Sequence, residues 1–220
     1  MLGPFTITAR YREGCTQYST GNGCLDHRTK LALAMQRQQL HRRTEDGREI
    51  YFLANRDNSI EYHLFALDFS RPGAAPQQLT RPGTNNNAVM DESGRLAIIT
   101  TSFPGQPSQV WLADGSGRRL AWIEENKVDA AHPYAPFAAA AVTPQYGRLL
   151  AADGKTELDY RLLLPRLAPG QRAPVFFKVY GGPSSQDIQQ GFVSPLEQYL
   201  VQQGWAVFSL TNRGQEGRGV

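Results

Sequence analysis

Two nearly continuous apolar runs near the C-terminus, Ala173 to Tyr180 (APVFFKVY) and Trp205 to Leu210 (WAVFSL), constrain the fold more than any other feature. Runs of this length without polar alternation are expected of strands buried on both faces. Between them lies a well-signalled helix, Ser194 to Gln203. Ser194 is placed to cap it, Pro195 suits the first helical position, and Glu197 completes a capping box. Leu196, Tyr199 and Leu200 repeat at helical spacing and predict one apolar face, and Gly204 is the expected C-terminal stop. Strand, helix, strand in this order predicts a βαβ unit of a mostly parallel sheet.

The chain before this unit has a different texture. From Thr44 to Asn126, short runs rich in β-branched and aromatic residues alternate with turn clusters. The runs are Ile50 to Leu53, Tyr62 to Phe69, Asn87 to Asp91, Leu96 to Thr101, Gln109 to Ala113 and Arg119 to Ile123. Ser93-Gly94 and Asp114-Gly115 mark two of the turns. This rhythm predicts an antiparallel meander, and sandwich, barrel and propeller all satisfy it. At roughly 40–45 residues per blade the stretch has room for about two propeller blades. A Pro/Ala-rich segment from His132 to Pro144 has the composition of a crossover. It leads to a predicted hairpin, Tyr146 to Ala151 and Leu158 to Leu164, around Asp153-Gly154. The fold class is therefore mixed: a β meander, then the opening of an α/β sheet. So few parallel strands leave apolar edges uncovered, and the expectation is an incomplete domain.

The first 43 residues carry no clear period. They hold 7 Lys/Arg against 2 Asp/Glu, whereas the rest holds 16 against 18. Leu31 to Leu40 is compatible with a short amphipathic helix, but the favoured expectation is a basic, unstructured leader foreign to the fold. The overall charge of +3 does not point to nucleic acid, and Arg37, Arg42 and Arg43 lie in aromatic-poor sequence. Cys15 and Cys24 do not have a zinc-ribbon or redox spacing. They can pair, ligate a metal with His27, or stay as thiols, and no metal or cofactor is expected. No apolar run is long enough to span a bilayer, no signal-peptide pattern opens the chain, and the compartment is left open.

The motif with chemical content is Val179-Tyr180-Gly181-Gly182-Pro183, at the end of the first buried-type strand. Glycines there allow backbone N–H groups to approach a ligand closely. In α/β-hydrolases the loop after an early central strand supplies part of the oxyanion hole. A plain strand-ending turn explains the same residues, and spacing alone does not decide between the two.

FKVYGGPSSQ, the helix after it, GWAVFSLTNRG and the Gly-rich tail together resemble the prolyl oligopeptidase family of serine peptidases, in particular its dipeptidyl peptidase IV-like branch. NKVDAAHPYAPF, the Asp153-Gly154 hairpin and TELDYRLLLP are similar to that branch's crossover between domains. The resemblance runs from about Asp46 to Val220. It implies a β-propeller gating an α/β-hydrolase domain, peptide substrates cut after proline or alanine, and release of N-terminal dipeptides. It further implies that Tyr180 donates to the oxyanion and that Asn212-Arg213-Gly214 is a structural turn. Relatives in the family dimerise, and many are exported or membrane-anchored. The implied organisation is a leader over 1–43, the end of a propeller over 44–130, crossover and hairpin over 131–172, and the start of the hydrolase domain over 173–220. No Gly-x-Ser-x-Gly occurs among the 220 residues. The expectation is thus a fragment that stops before its nucleophile, lacks the acid and base, and is inactive alone. The alternative is a non-catalytic β-rich interaction module. Glu124-Glu125 is read as a solvated turn rather than an amine-binding pair, and His27, His41, His63 and His132 as ordinary structural residues.

Overall fold

The computed structural model describes residues 7–8, 30–31, 38–44, 48–71, 73–182 and 185–215. Strands β1 (Ile7–Thr8) and β2 (Lys30–Leu31) form a two-residue antiparallel pair. The first four-stranded sheet is a meander of β3 (Gln38–Arg43), β4 (Glu49–Ala54), β5 (His63–Asp68) and β6 (Gln77–Gln78). The second is a meander of β7 (Asn85–Met90), β8 (Leu96–Phe103), β9 (Gln106–Asp114) and β10 (Arg119–Glu124). Two of its three tight turns are organised by aspartates. Asp91 accepts from the Leu96 N–H and the Ser93 hydroxyl, while the Asp114 carboxylate binds Ser116 and Arg118.

β4 and β5 carry apolar residues on both faces, and both sets are buried. Tyr51, Leu53 and Leu64 meet Ala88, Ala97, Ile99 and Ala113 of the second sheet. Large side chains of the first sheet meet three alanines and Ile99 of the second in one buried cluster. On the opposite face Phe52, Ala54, Phe65 and Leu67 form a second buried cluster, with Phe52 and Phe65 stacked 5.6 Å apart.

The stretch Leu31 to Leu40, compatible in sequence with a short amphipathic helix, is strand at its described ends. Lys30–Leu31 and Gln38–Arg43 are strands, and β3 pairs with β4 from Gln38↔Ala54 to Arg43↔Ile50. Pairing with an apolar neighbouring strand prevails over the weak helical spacing. Cys15, Cys24, His27 and Arg37 lie outside the described residues.

A single helical turn, α1 (Ala135–Ala138), sits in the crossover. The third sheet then has the order β11 (Gln145–Leu150), β12 (Glu157–Leu163), β14 (Ala206–Leu210), β13 (Val175–Lys178). β11 and β12 form the predicted hairpin, with Gly154 at a φ of +66° in its turn. β13 runs parallel to β14, as a βαβ unit requires, and β14 pairs antiparallel with β12 on its other side.

Helix α2 (Pro195–Gln202) makes the β13-to-β14 connection. Its capping box is present, and its C-terminus closes with Gly204 at a φ of +86°. The Trp205 N–H donates to the Leu200 carbonyl and the Gly204 N–H to that of Val201, which is a Schellman closure.

Two sequence expectations fail in this sheet. β13 is not buried on both faces: it is an edge strand with one neighbour, and Phe177 is 65% exposed. The burial falls instead on the central β14, where Ala206, Val207 and Ser209 are enclosed. The helix, moreover, turns only Leu200 of its predicted apolar stripe toward the core. Leu196 and Tyr199 are exposed, and Glu197, Gln198 and Val201 are buried. The polar partners described below decide that rotation.

Candidate functional site

The Tyr180 turn begins where β13 ends. The ladder with β14 stops at Lys178↔Ser209, leaving Val179 and Tyr180 beyond the last pair. Tyr180 is 52% exposed. Gly181 has a φ of +73°, a left-handed conformation that favours glycine. The Tyr180 ring lies over Gly182: a Cβ there would stand 3.0–3.2 Å from the ring and hydroxyl atoms. Both glycines therefore have a geometric reason, one in its dihedral and one in the space that the phenol ring occupies. Across the turn, the Asn212 side chain reaches from the end of β14. Its Nδ2 lies 3.5 Å from the Gly182 carbonyl, and its Oδ1 accepts from the Gly214 N–H at 3.0 Å.

Behind β13 lies a buried charge cluster. Glu197 receives Nη2 of Arg161 from β12 in a short contact, and Nζ of Lys178 from β13 at 3.4 Å. It also accepts from the backbone N–H of Ser194 and closes the capping box. Burial works against the charge on Glu197, yet the fields of Arg161 and Lys178, with the Ser194 hydrogen bond, outweigh it and hold the carboxyl below its ordinary range. Beside it the Gln198 side chain exchanges two hydrogen bonds with the Val142 backbone, at 2.8 and 2.9 Å. These bonds turn the polar flank of α2 toward the sheet and leave Leu196 and Tyr199 outward.

Sequence reasoning missed a second polar centre, between the meander sheets. His63 Nε2 lies 3.0 Å from Glu61 Oε2, and its Nδ1 lies 3.0 Å from Thr80 Oγ1. Glu61 also accepts from the Gly83 N–H and from Asn58. Asn86 donates to the Tyr62 carbonyl and to Thr84, and it accepts from Thr101, whose hydroxyl in turn accepts from Trp111. Every member is tied to a neighbour, as a buried polar network must be. The partners span β5, β7, β8 and β9, so no local spacing could have announced it.

The remaining predicted residues take structural places. Glu124 ends β10 and accepts from the Asn126 N–H at 2.9 Å, and Glu125 just beyond it is exposed, so the pair lies at the surface. His132 accepts the Tyr134 N–H on Nδ1 and contacts Asn126 Oδ1 through Nε2, which shapes the crossover. Arg213 meets Asp153 at 3.4 Å. The side chains of His41, Arg42 and Arg43 lie outside the described residues. A cleft of about 330 Å³ opens between the second sheet and residue Gln189, lined by Tyr62, Asn85, Asn86, Asn87 and Ser102 among others. Among the described residues no cluster of three His, Cys, Asp or Glu could hold a metal ion, and no helix is long and apolar enough to cross a membrane.

No family model matches this chain. It is similar to a probable dipeptidyl-aminopeptidase B of Emericella nidulans, 26% identical over 168 residues, which covers 75% of the chain and 18% of that protein. It is similar also to a probable dipeptidyl peptidase 4 of Aspergillus flavus, 24% identical over 139 residues, covering 63% of the chain and 18% of that protein. The chain thus spans about a fifth of the length of these relatives. Among solved structures, the crystal structure of Porphyromonas gingivalis dipeptidyl peptidase 4 superposes with a TM-score of 0.72 over 83% of this chain and 25% of that one, at 21% identity.

Proposed function

We infer that this chain, a relative in sequence of the dipeptidyl peptidases of the prolyl oligopeptidase family, is a fragment of a serine exopeptidase that removes N-terminal dipeptides after proline or alanine. In this reading the two stacked meanders are blades of a β-propeller, and β11 to β14 with α2 open an α/β-hydrolase domain. The leader, propeller, crossover and hydrolase divide near residues 43, 130 and 172, with the first blade reaching back to β3. The observation that carries the reading is the Tyr180-Gly181-Gly182 turn, placed where a parallel β-strand ends and beside the turn that follows its neighbour.

Tyr180 is the oxyanion donor. When a nucleophile adds to a peptide carbonyl, its oxygen gains a negative charge that the substrate did not carry. A phenolic O–H aimed at that oxygen therefore lowers the barrier rather than merely binding substrate. The 220 residues hold no nucleophile elbow, so in this reading the chain alone does not hydrolyse peptides.

A chimera tests this. Residues 126–215 of this chain replace the matching segment of the Porphyromonas enzyme, and Ala-Pro-p-nitroanilide is the substrate. The folded chimera is expected to turn over, and Tyr180→Phe to lower its kcat by roughly 10²–10³-fold, as loss of one oxyanion donor does. A Tyr180→Phe chimera with undiminished kcat would remove the phenol from the mechanism. In parallel, the isolated chain is expected to show no turnover and no labelling by a fluorophosphonate; a labelled serine would overturn the assignment.

A further inference from the structure

The two glycines of the Tyr180 turn give it little stiffness of its own. An electrostatic donor is effective only when held within about 0.5 Å of its working position. On one side the turn is anchored by the β13–β14 ladder and by Lys178 on Glu197. On the other side the chain leaves the third sheet and is fastened to the meander sheets over residues 186–193.

Among the described residues beyond the turn, Gln186 is a buried tether. Its Oε1 accepts the Tyr62 hydroxyl at 2.8 Å, and its Nε2 donates to the Ser59 carbonyl at 2.6 Å. Ser59 is itself locked to the third sheet, because its hydroxyl donates to Asp159 Oδ2 at 2.8 Å. Further along, the Gln190 N–H donates to the Ile60 carbonyl at 2.8 Å, and the Phe192 N–H donates to Ser102 at 2.9 Å. Ile188 is fully buried between these tethers, and Val193, just beyond them, is fully buried in the core of the third sheet. A carboxamide suits position 186 because it must accept from a phenol and donate to a carbonyl at once. Glutamate cannot do the second, and leucine can do neither.

We propose that Gln186 is a positioning residue for Tyr180, fixing the chain six residues beyond the phenol to the Ser59–Tyr62 loop. The first meander sheet thereby sets where the Tyr180 hydroxyl stands. This rests on the reading of Tyr180 as oxyanion donor, and it adds that the β-rich half helps to build the site rather than only covering it.

The test uses the whole chain labelled with ¹³C-tyrosine, the Tyr180 ring signal being assigned by its loss in Tyr180→Phe. Gln186→Leu and Tyr62→Phe are each expected to shift or broaden that signal, Tyr62→Phe by less, because it keeps the bond to Ser59. A control at a distant hairpin, Ser116→Ala, is expected to leave it in place. A Tyr180 signal unmoved in both variants would overturn the proposal. Should Gln186→Leu not fold, Tyr62→Phe, which removes one hydroxyl, decides the matter. The readout is the position of the phenol and not catalysis. A failed chimera therefore leaves this result standing, and an unmoved signal leaves the donor role of Tyr180 standing.

Discussion

The paired meander sheets and the third sheet are built from similar sequence and end in different states. β4 and β5 (EIYFLA and HLFALD) and β13 (VFFK) are all short strands dense in Phe, Leu and Val. Phe65 on β5 is fully buried, with a strand on each side and the Phe52 ring stacked beside it. Phe177 on β13 has a neighbouring strand on one side only and stays largely in water. Apolar composition therefore states what a strand can bury. What it does bury depends on whether neighbours arrive on both edges and both faces. The third sheet offsets its thin apolar core (Leu163, Val193, Val201 and Val207) with polar ties, among them the buried Arg161–Glu197 pair.

The largest effect that would sharpen this contrast is Phe65→Ala. It should cost about 3–5 kcal/mol, the usual range for emptying an aromatic site in a packed core, read from the urea midpoint at unchanged slope. A cost under about 1 kcal/mol would mean that the first sheet is no better packed than the third. Glu197→Ala should follow at about 3 kcal/mol, because it strands the buried Arg161 guanidinium without its partner. Replacing Arg161 and Glu197 together by Met and Leu should recover most of that loss; if it does not, geometry rather than charge burial sets the value of the pair.

Acid should act through the same residue. The folded Glu197 carboxyl lies below its unfolded value, ordinarily about 4.3, so the unfolded chain takes up the proton first. Its contribution to stability is complete above that value and is lost as pH falls through the lower folded one. Glu197→Gln should flatten this acid limb in urea titrations between about pH 5 and pH 3, whereas an unchanged limb would locate the acid sensitivity elsewhere. Ser194→Ala removes the helix cap and one Glu197 contact together, and about 1 kcal/mol is expected. The smallest effect belongs to Phe177→Ala, expected within about 0.5 kcal/mol of the parent because the side chain is mostly hydrated already. A loss above about 2 kcal/mol would show that β13 is covered in solution and would erase the contrast.

Much of this molecule was legible from local pattern. The strands from Ile50 to Ile123, the Asp153-Gly154 hairpin, the capping box at Ser194 and the stop at Gly204 depend on residues within a few positions of one another, where turn geometry and capping act. The parallel pairing of β13 with β14 follows from a strand–helix–strand order that leaves a chain few other arrangements. The Tyr-Gly-Gly turn also stood out, because a glycine at positive φ and a glycine under an aromatic ring both leave a trace in composition.

Tertiary structure alone decided the rest. It made β13 an edge strand, turned Glu197 and Gln198 of α2 inward, brought Gln38–Arg43 into the first sheet, and gathered His63, Glu61, Thr80 and Asn86 into one network. It also fastened Gln186 to Tyr62, 124 positions earlier in the chain. Each of these outcomes turns on which polar group finds a partner in space. A buried hydrogen bond or ion pair is strong only against the cost of leaving its groups unpaired, and that cost depends on residues that sequence spacing does not bring together.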